Sequence, residues 1–232
     1  MSDLVLNLVE RRVLGVLLEK SLAQPEYYPM TLNAIVAACN QKNNRDPVME
    51  LDEDAVWHAL EQLRQAGLVA KVLPAQGSRV DRFKHDVDAK LGWPKPQKAV
   101  MAELLLRGPQ TVGELRTRAS RMYAFENLEA VSAIIEWLSS QSPPLVAAMP
   151  RVVGQSAVRF AHQLYPADEA PAVETTRTSE PPGESPRGPS TAGGGASPSL
   201  LMEQLEGLQS EIAELHQAVA ELRRRLDRLE GR

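Results

Sequence analysis

The first 165 residues hold two copies of one unit, and this duplication constrains the fold more than any other feature of the chain. Arg82-Phe83-Lys84-His85 recurs as Arg159-Phe160-Ala161-His162, a shift of 77. The run AVWHALEQL from Ala55 to Leu63 matches AVSAIIEWL from Ala130 to Leu138 at a shift of 75. Thr31, Leu32 and Ile35 match Thr111, Val112 and Leu115 at 80, and Val13, Leu17 and Leu18 match Val100, Leu104 and Leu105 at 87. A repeat of about 80 residues predicts two similar domains, residues 1–90 and 91–165.

Each copy reads as three helices followed by two short strands. Leu6, Val9, Val13, Leu14, Leu17 and Leu18 fall at helical spacing near residues 4–20, and Val100, Met101, Leu104 and Leu105 do so in the second copy. Thr31 and Thr111 stand where an N-cap belongs, each with a hydroxyl to accept an unpaired backbone N–H at the start of a second helix. Asp52 is placed to cap a third helix with Val56, Ala59, Leu60 and Leu63 on its core face, and Gly67 to end it. Residues 68–73 and 80–85 then predict a hairpin, repeated at 145–149 and 157–162. Helix, helix, helix, hairpin is the order of a winged helix-turn-helix. The expected fold is α+β and mostly α, with two such domains in tandem.

Composition changes after this region. Residues 166–199 contain seven prolines, five glycines and no aromatic residue, which predicts a disordered linker unable to bury enough apolar surface to offset its ordering entropy. Residues 200–232 then carry Leu201, Leu205, Leu208, Ile212, Leu215, Val219, Leu222, Leu226 and Leu229 at alternating spacings of four and three, a heptad seam. Leu at every d position, with Ile212 and Val219 at the central a positions, favours a parallel two-stranded coiled coil, hence a homodimer. The same periodicity would also suit an amphipathic helix docked on its own domain.

Several loops resemble the signature stretches of the YceH-like bacterial family. They are Glu19-Lys20, Pro25-Glu26-Tyr27-Tyr28-Pro29, residues 40–49 (NQKNNRDPVM), Gly77-Ser78-Arg79-Val80 and residues 106–111 (LRGPQT). The resemblance covers about residues 5–165 and implies a tandem winged-helix, cytoplasmic bacterial protein. It implies no activity, and it assigns no role to the linker or the tail.

A winged helix binds duplex DNA by placing its third helix in the major groove, with the hairpin on phosphates. In the first copy the side chains at those places are Asn40, Gln41, Lys42, Asn43, Asn44 and Arg45 at the turn, His58, Gln62, Arg64 and Gln65 on the third helix, and Arg79, Arg82 and Lys84 on the wing. Amides suit adenine edges, and cations suit guanine or phosphate. Asp52, Glu53 and Asp54 oppose this reading, because acids at the start of a groove-entering helix repel phosphate; they also suit the helix dipole. The net charge of −4 is no obstacle, since 19 Lys and Arg against 18 Asp and Glu leave residues 1–165 at +1.

The second copy has no Lys or Arg from Met122 to Pro150, so its third helix offers Glu129, Ser132, Glu136 and Ser139 instead. Arg116, Arg118, Arg121 and Arg151 either hold phosphate from the side or form a solvated face. This copy is expected either to fix geometry or to hold a protein partner. The reading of a dimeric DNA-binding transcriptional regulator therefore stands beside that of an adaptor resembling the tandem winged-helix subunits of chromosome-segregation complexes.

Other functions find little support. Trp57, Trp93 and Trp137 read as packing residues, Cys39 as a small buried one, and His85 and His162 as structural groups closing each hairpin. Four scattered histidines and one cysteine give no metal-ligand spacing, and no nucleophile with a neighbouring base or cofactor fingerprint occurs. The chain is expected to be no enzyme and to need no cofactor. Its longest apolar run, Val13 to Leu18 with Gly15 inside it, is far short of the roughly 20 residues of a membrane span, so a cytoplasmic protein is expected.

Overall fold

Helix α1 (Leu8–Ala23) starts from a capping box: Asn7 accepts the N–H groups of Val9 and Glu10, while the Glu10 carboxylate accepts from the Asn7 N–H. Every residue from Arg11 to Glu19 is buried, so this helix has no solvent face over its middle turns. A helix covered on all sides sits at the centre of a fold. Its counterpart α5 (Lys95–Arg107) is buried from Lys98 to Leu106, and the two pack together where Gly15 meets Leu105 and Leu106. The first helices of the two copies thus form the joint between them, and one continuous apolar cluster runs through both halves.

The computed structural model describes residues 4–72, 80–151, 157–166 and 169, within the compact unit Met1–Arg177. The fold is α+β. After α1 come a single 3₁₀ turn (Pro25–Tyr27), β1 (Met30–Thr31), α2 (Leu32–Cys39), α3 (Glu53–Gln65), β2 (Val69–Val72) and β3 (Arg82–His85). Helix α4 (Val87–Leu91) leads to α5, and the same order returns as β4 (Gln110–Thr111), α6 (Val112–Ala119), α7 (Leu128–Ser139), β5 (Val146–Ala148) and β6 (Arg159–His162).

The expected order needs one correction. A two-residue strand precedes the second helix of each half, giving antiparallel sheets of order β1-β3-β2 and β4-β6-β5. Met30 pairs with Phe83 and Thr31 with Arg82, exactly paralleled in register by Gln110 with Phe160 and Thr111 with Arg159. The shifts of 80 and 77 read along the chain reappear as strand pairs in space. Helix α1 also starts and ends a few residues later than the spacing predicts, because Asn7 supplies the cap.

The predicted caps are in place. Thr31 accepts from the Ala34 N–H at 3.3 Å and Thr111 from Glu114 at 3.2 Å, while Asp52 accepts from Ala55 at 2.8 Å. Gly67 follows α3 at a φ of +73°, which a β-carbon would strain. Apart from Pro166 and Glu169, the expected linker and the whole heptad seam lie outside the described residues, as does Arg79.

Candidate functional site

The hairpin of the first half packs against its third helix. Strand β3 alternates strictly, with Phe83 and His85 buried and Arg82 and Lys84 exposed. Phe83 meets Trp57 of α3 edge-on at 6.0 Å, which fixes the hairpin against that helix. Helix α3 turns His58, Gln62, Arg64 and Gln65 to solvent. Arg64 is bound to Glu61 at 2.8 Å, and Arg82 donates to the Pro29 carbonyl at 2.8 Å, so Lys84 is the less committed cation of the pair on β3. Lys71 on β2 is paired with Asp81 at 2.7 Å. Asp52, Glu53 and Asp54 stand exposed at the start of α3.

The turn before α3 is arranged differently from the expectation of six contact residues. Asn40 clamps the loop shut, its amide donating to the Leu51 carbonyl and its oxygen accepting the Leu51 N–H, both at 2.7 Å. Arg45 points inward with a fully buried side chain, donating to Glu19 at 2.6 Å, to the Ala38 carbonyl at 3.1 Å and to the Gln41 amide oxygen at 3.1 Å. Asn44 adopts a φ of +62° and accepts from Arg107 of the second half. The Asp46 N–H donates to the Leu106 carbonyl at 2.9 Å, and Arg12 holds the Pro47 carbonyl at 2.6 Å. Asn40, Asn44 and Arg45 are therefore joinery between α1, α2 and α5. Lys42 and Asn43, with exposed Gln41, are what the turn offers to solvent.

Charges buried at the joint went unread in the sequence. Arg121, two residues beyond α6, reaches both Glu19 on α1 and Glu103 on α5, the latter at 2.5 Å. The carboxylate side chains are 2% and 0% exposed. Burial pushes the Glu19 carboxyl up, but hydrogen bonds and charge from Arg45 and Arg121 outweigh it and hold Glu19 below its ordinary value. Charged residues set inside the apolar runs of two core helices were the available signal. Arg118 and Arg159 pair with Glu114, each at 3.4 Å, and Arg116 donates to the Glu126 carbonyl, so the arginines of this half that were candidates for phosphate largely serve its own structure.

Helix α7 presents Glu129, Ser132 and Glu136 to solvent, with Ser139 half-buried. Leu128 and Trp137, 46% and 36% exposed, flank that acidic face, so Trp137 is more open than a packing residue. Burial pushes the Cys39 thiol up to about 12, leaving it protonated and unreactive. Among the described residues no helix is long and apolar enough to cross a membrane.

A family model described as "Protein of unknown function, DUF480" matches residues 6–155. A UPF0502 protein of Pelobacter propionicus is 44% identical over 219 residues, 94% of this chain and 96% of the relative. That of Geobacter metallireducens is 50% identical over 173 residues, 75% of this chain and 78% of the relative. That of Azoarcus is 39% identical over 222 residues, 96% and 94% of the two chains. The matched region contains the loops read as a YceH-like signature and the buried Glu19–Arg121–Glu103 joint: the chain belongs to the DUF480 family.

Proposed function

We propose that each half is a winged helix-turn-helix unit and that the protein is a DNA-binding regulator whose first half contacts duplex. The carrying observation is that two neighbouring elements of the first half leave polar and cationic side chains exposed, His58, Gln62 and Gln65 on α3 and Arg82 and Lys84 on β3. Amides and an imidazole reach base edges, while cations on the adjoining hairpin meet phosphates. Lys42 and Asn43 add exposed groups from the turn, whereas Asn40 and Arg45 are engaged within the fold. The heptad seam of residues 200–232 joins two chains, so that two weak first-half contacts act together.

The test is binding of the full chain to a labelled random-sequence duplex at low and physiological salt. Affinity that falls steeply with salt supports phosphate contact; no binding at low salt rejects it. Removing residues 200–232 is expected to halve the solution mass, and a full chain already monomeric at tens of micromolar rejects the zipper.

A second reading, a protein-binding adaptor, is favoured by α7, where Leu128 and Trp137 are exposed around a face without cations. A helix of that kind gains nothing from counterion release but offers an aromatic anchor to a protein. Loss of a captured partner on Trp137→Ala, with no duplex binding by the parent chain, would select it.

A further inference from the structure

The two halves enclose a groove of about 630 Å³ that shares only Gln65 with the proposed DNA surface. Its first-half wall comes from Leu4 and Val5 ahead of α1 and from the C-terminal ends of α3 and α4; its second-half wall comes from the segment between α7 and β5. Leu68, Leu91, Trp93 and Leu145 make the lining apolar. This volume and composition match sites for small organic ligands, which are commonly about 300–1,000 Å³ and carry few polar groups.

Lys90 is the cation of this groove. It lies across Gly67, where a β-carbon would sit 3.6 Å from the Lys90 Cδ and 3.8 Å from its Nζ. Lys71 and Lys98 are paired with Asp81 and Asp88, but among the described residues no carboxylate pairs with Lys90. The side chains of Gln65 and Ser142, also in the lining, have no hydrogen-bond partner among the described residues. An unpaired ammonium with two neutral polar groups on an apolar wall suits a single negative charge carried on an apolar body.

We propose that this groove binds a small amphipathic monocarboxylate, its carboxylate on Lys90 and its apolar body along Val5, Leu91 and Leu145, over a floor closed by the buried Leu68 and Trp93. Because both halves form the walls, the bound ligand holds them together at the end of α3 farthest from its capped start.

Calorimetric titration of the full-length chain with decanoate, decanol and octyl phosphate tests the assignment without reference to DNA. Saturable decanoate binding is expected, weakened about tenfold by Lys90→Met while decanol is unaffected. Ser142→Trp, which fills the groove from an exposed position, is expected to abolish both. The assignment is overturned if decanoate fails to saturate up to about 5 mM, if Lys90→Met binds it as well as the parent does, or if octyl phosphate binds more tightly.

Discussion

Gly15 of α1 faces Leu106 of α5 so closely that a β-carbon on Gly15 would lie 2.9 Å from the Leu106 Cγ and 3.2 Å from the Leu105 Cβ. The glycine has no unusual backbone requirement here; its role is to let two fully buried helices approach. Alanine would gain about 1 kcal/mol of helix propensity, and overpacking costs about 1–3 kcal/mol. Gly15→Ala is therefore expected to destabilise slightly and Gly15→Val by about 3 kcal/mol, read from denaturant midpoints. A Gly15→Val protein as stable as the parent would show that the helices are not in this contact.

Glu19 accepts from Arg45 and Arg121 with almost no water around it. Removing the carboxylate charge leaves two guanidinium groups undercompensated, so Glu19→Gln is expected to cost about 3 kcal/mol at neutral pH. Because the folded carboxyl lies below its ordinary 4.5, its stabilisation is complete above that value and is lost as pH falls through the lower, folded one. The parent should therefore lose stability more steeply than Glu19→Gln below about pH 4.5. Parallel acid unfolding curves for the two proteins would remove Glu19 from the account.

Local chemistry explains why some features were readable and others were not. Thr31, Thr111 and Asp52 cap helices through bonds to residues three positions on, and β3 alternates within four residues, so short windows carried both signals. Strands β1 and β4 are two residues long and cannot display alternation; they exist because β3 and β6 offer them an edge. Arg121 is 102 positions from Glu19, and no local pattern links them. Arg45 in a polar turn looks the same in sequence whether it faces phosphate or folds back on Glu19, so only the fold shows that it turns inward.

His85 and His162 occupy the same place at the end of the two hairpins, and both are buried. The His85 ring is 3.0 Å from the Ser21 hydroxyl, while His162 stacks on Tyr165 at 3.9 Å and accepts the Leu164 N–H at 3.2 Å. Burial, reinforced by Lys98, lowers His85 to about 4; burial, reinforced by Arg11, lowers His162 to about 3. Both are neutral in the folded chain, whereas an unfolded histidine titrates near about 6.5. Their contribution is whole above that pH and declines as pH falls toward the folded values, by about 2 kcal/mol for each at pH 5. A double His85→Gln, His162→Gln variant should be less stable at pH 7 yet flatter between pH 7 and 5. A parent chain equally stable at both pH values would contradict neutral burial.

Lys84 and Arg82 differ from Arg118 and Arg159 in what they are free to do, and duplex binding should register the difference. The first two stand exposed on β3, whereas the second two are tied to Glu114 within their own half. If β3 lies on phosphates, each cation removed there lowers the slope of log affinity against log salt by about 1. Lys84→Ala should show this most cleanly, since Arg82→Ala also gives up the bond to the Pro29 carbonyl that braces the strand edge. Arg118→Ala should leave the slope unchanged, because its charge never meets the nucleic acid. Equal slopes for the parent chain, Lys84→Ala and Arg118→Ala, measured by anisotropy of a labelled duplex over a salt series, would take β3 out of any DNA contact and move the weight to the exposed α7 face around Trp137.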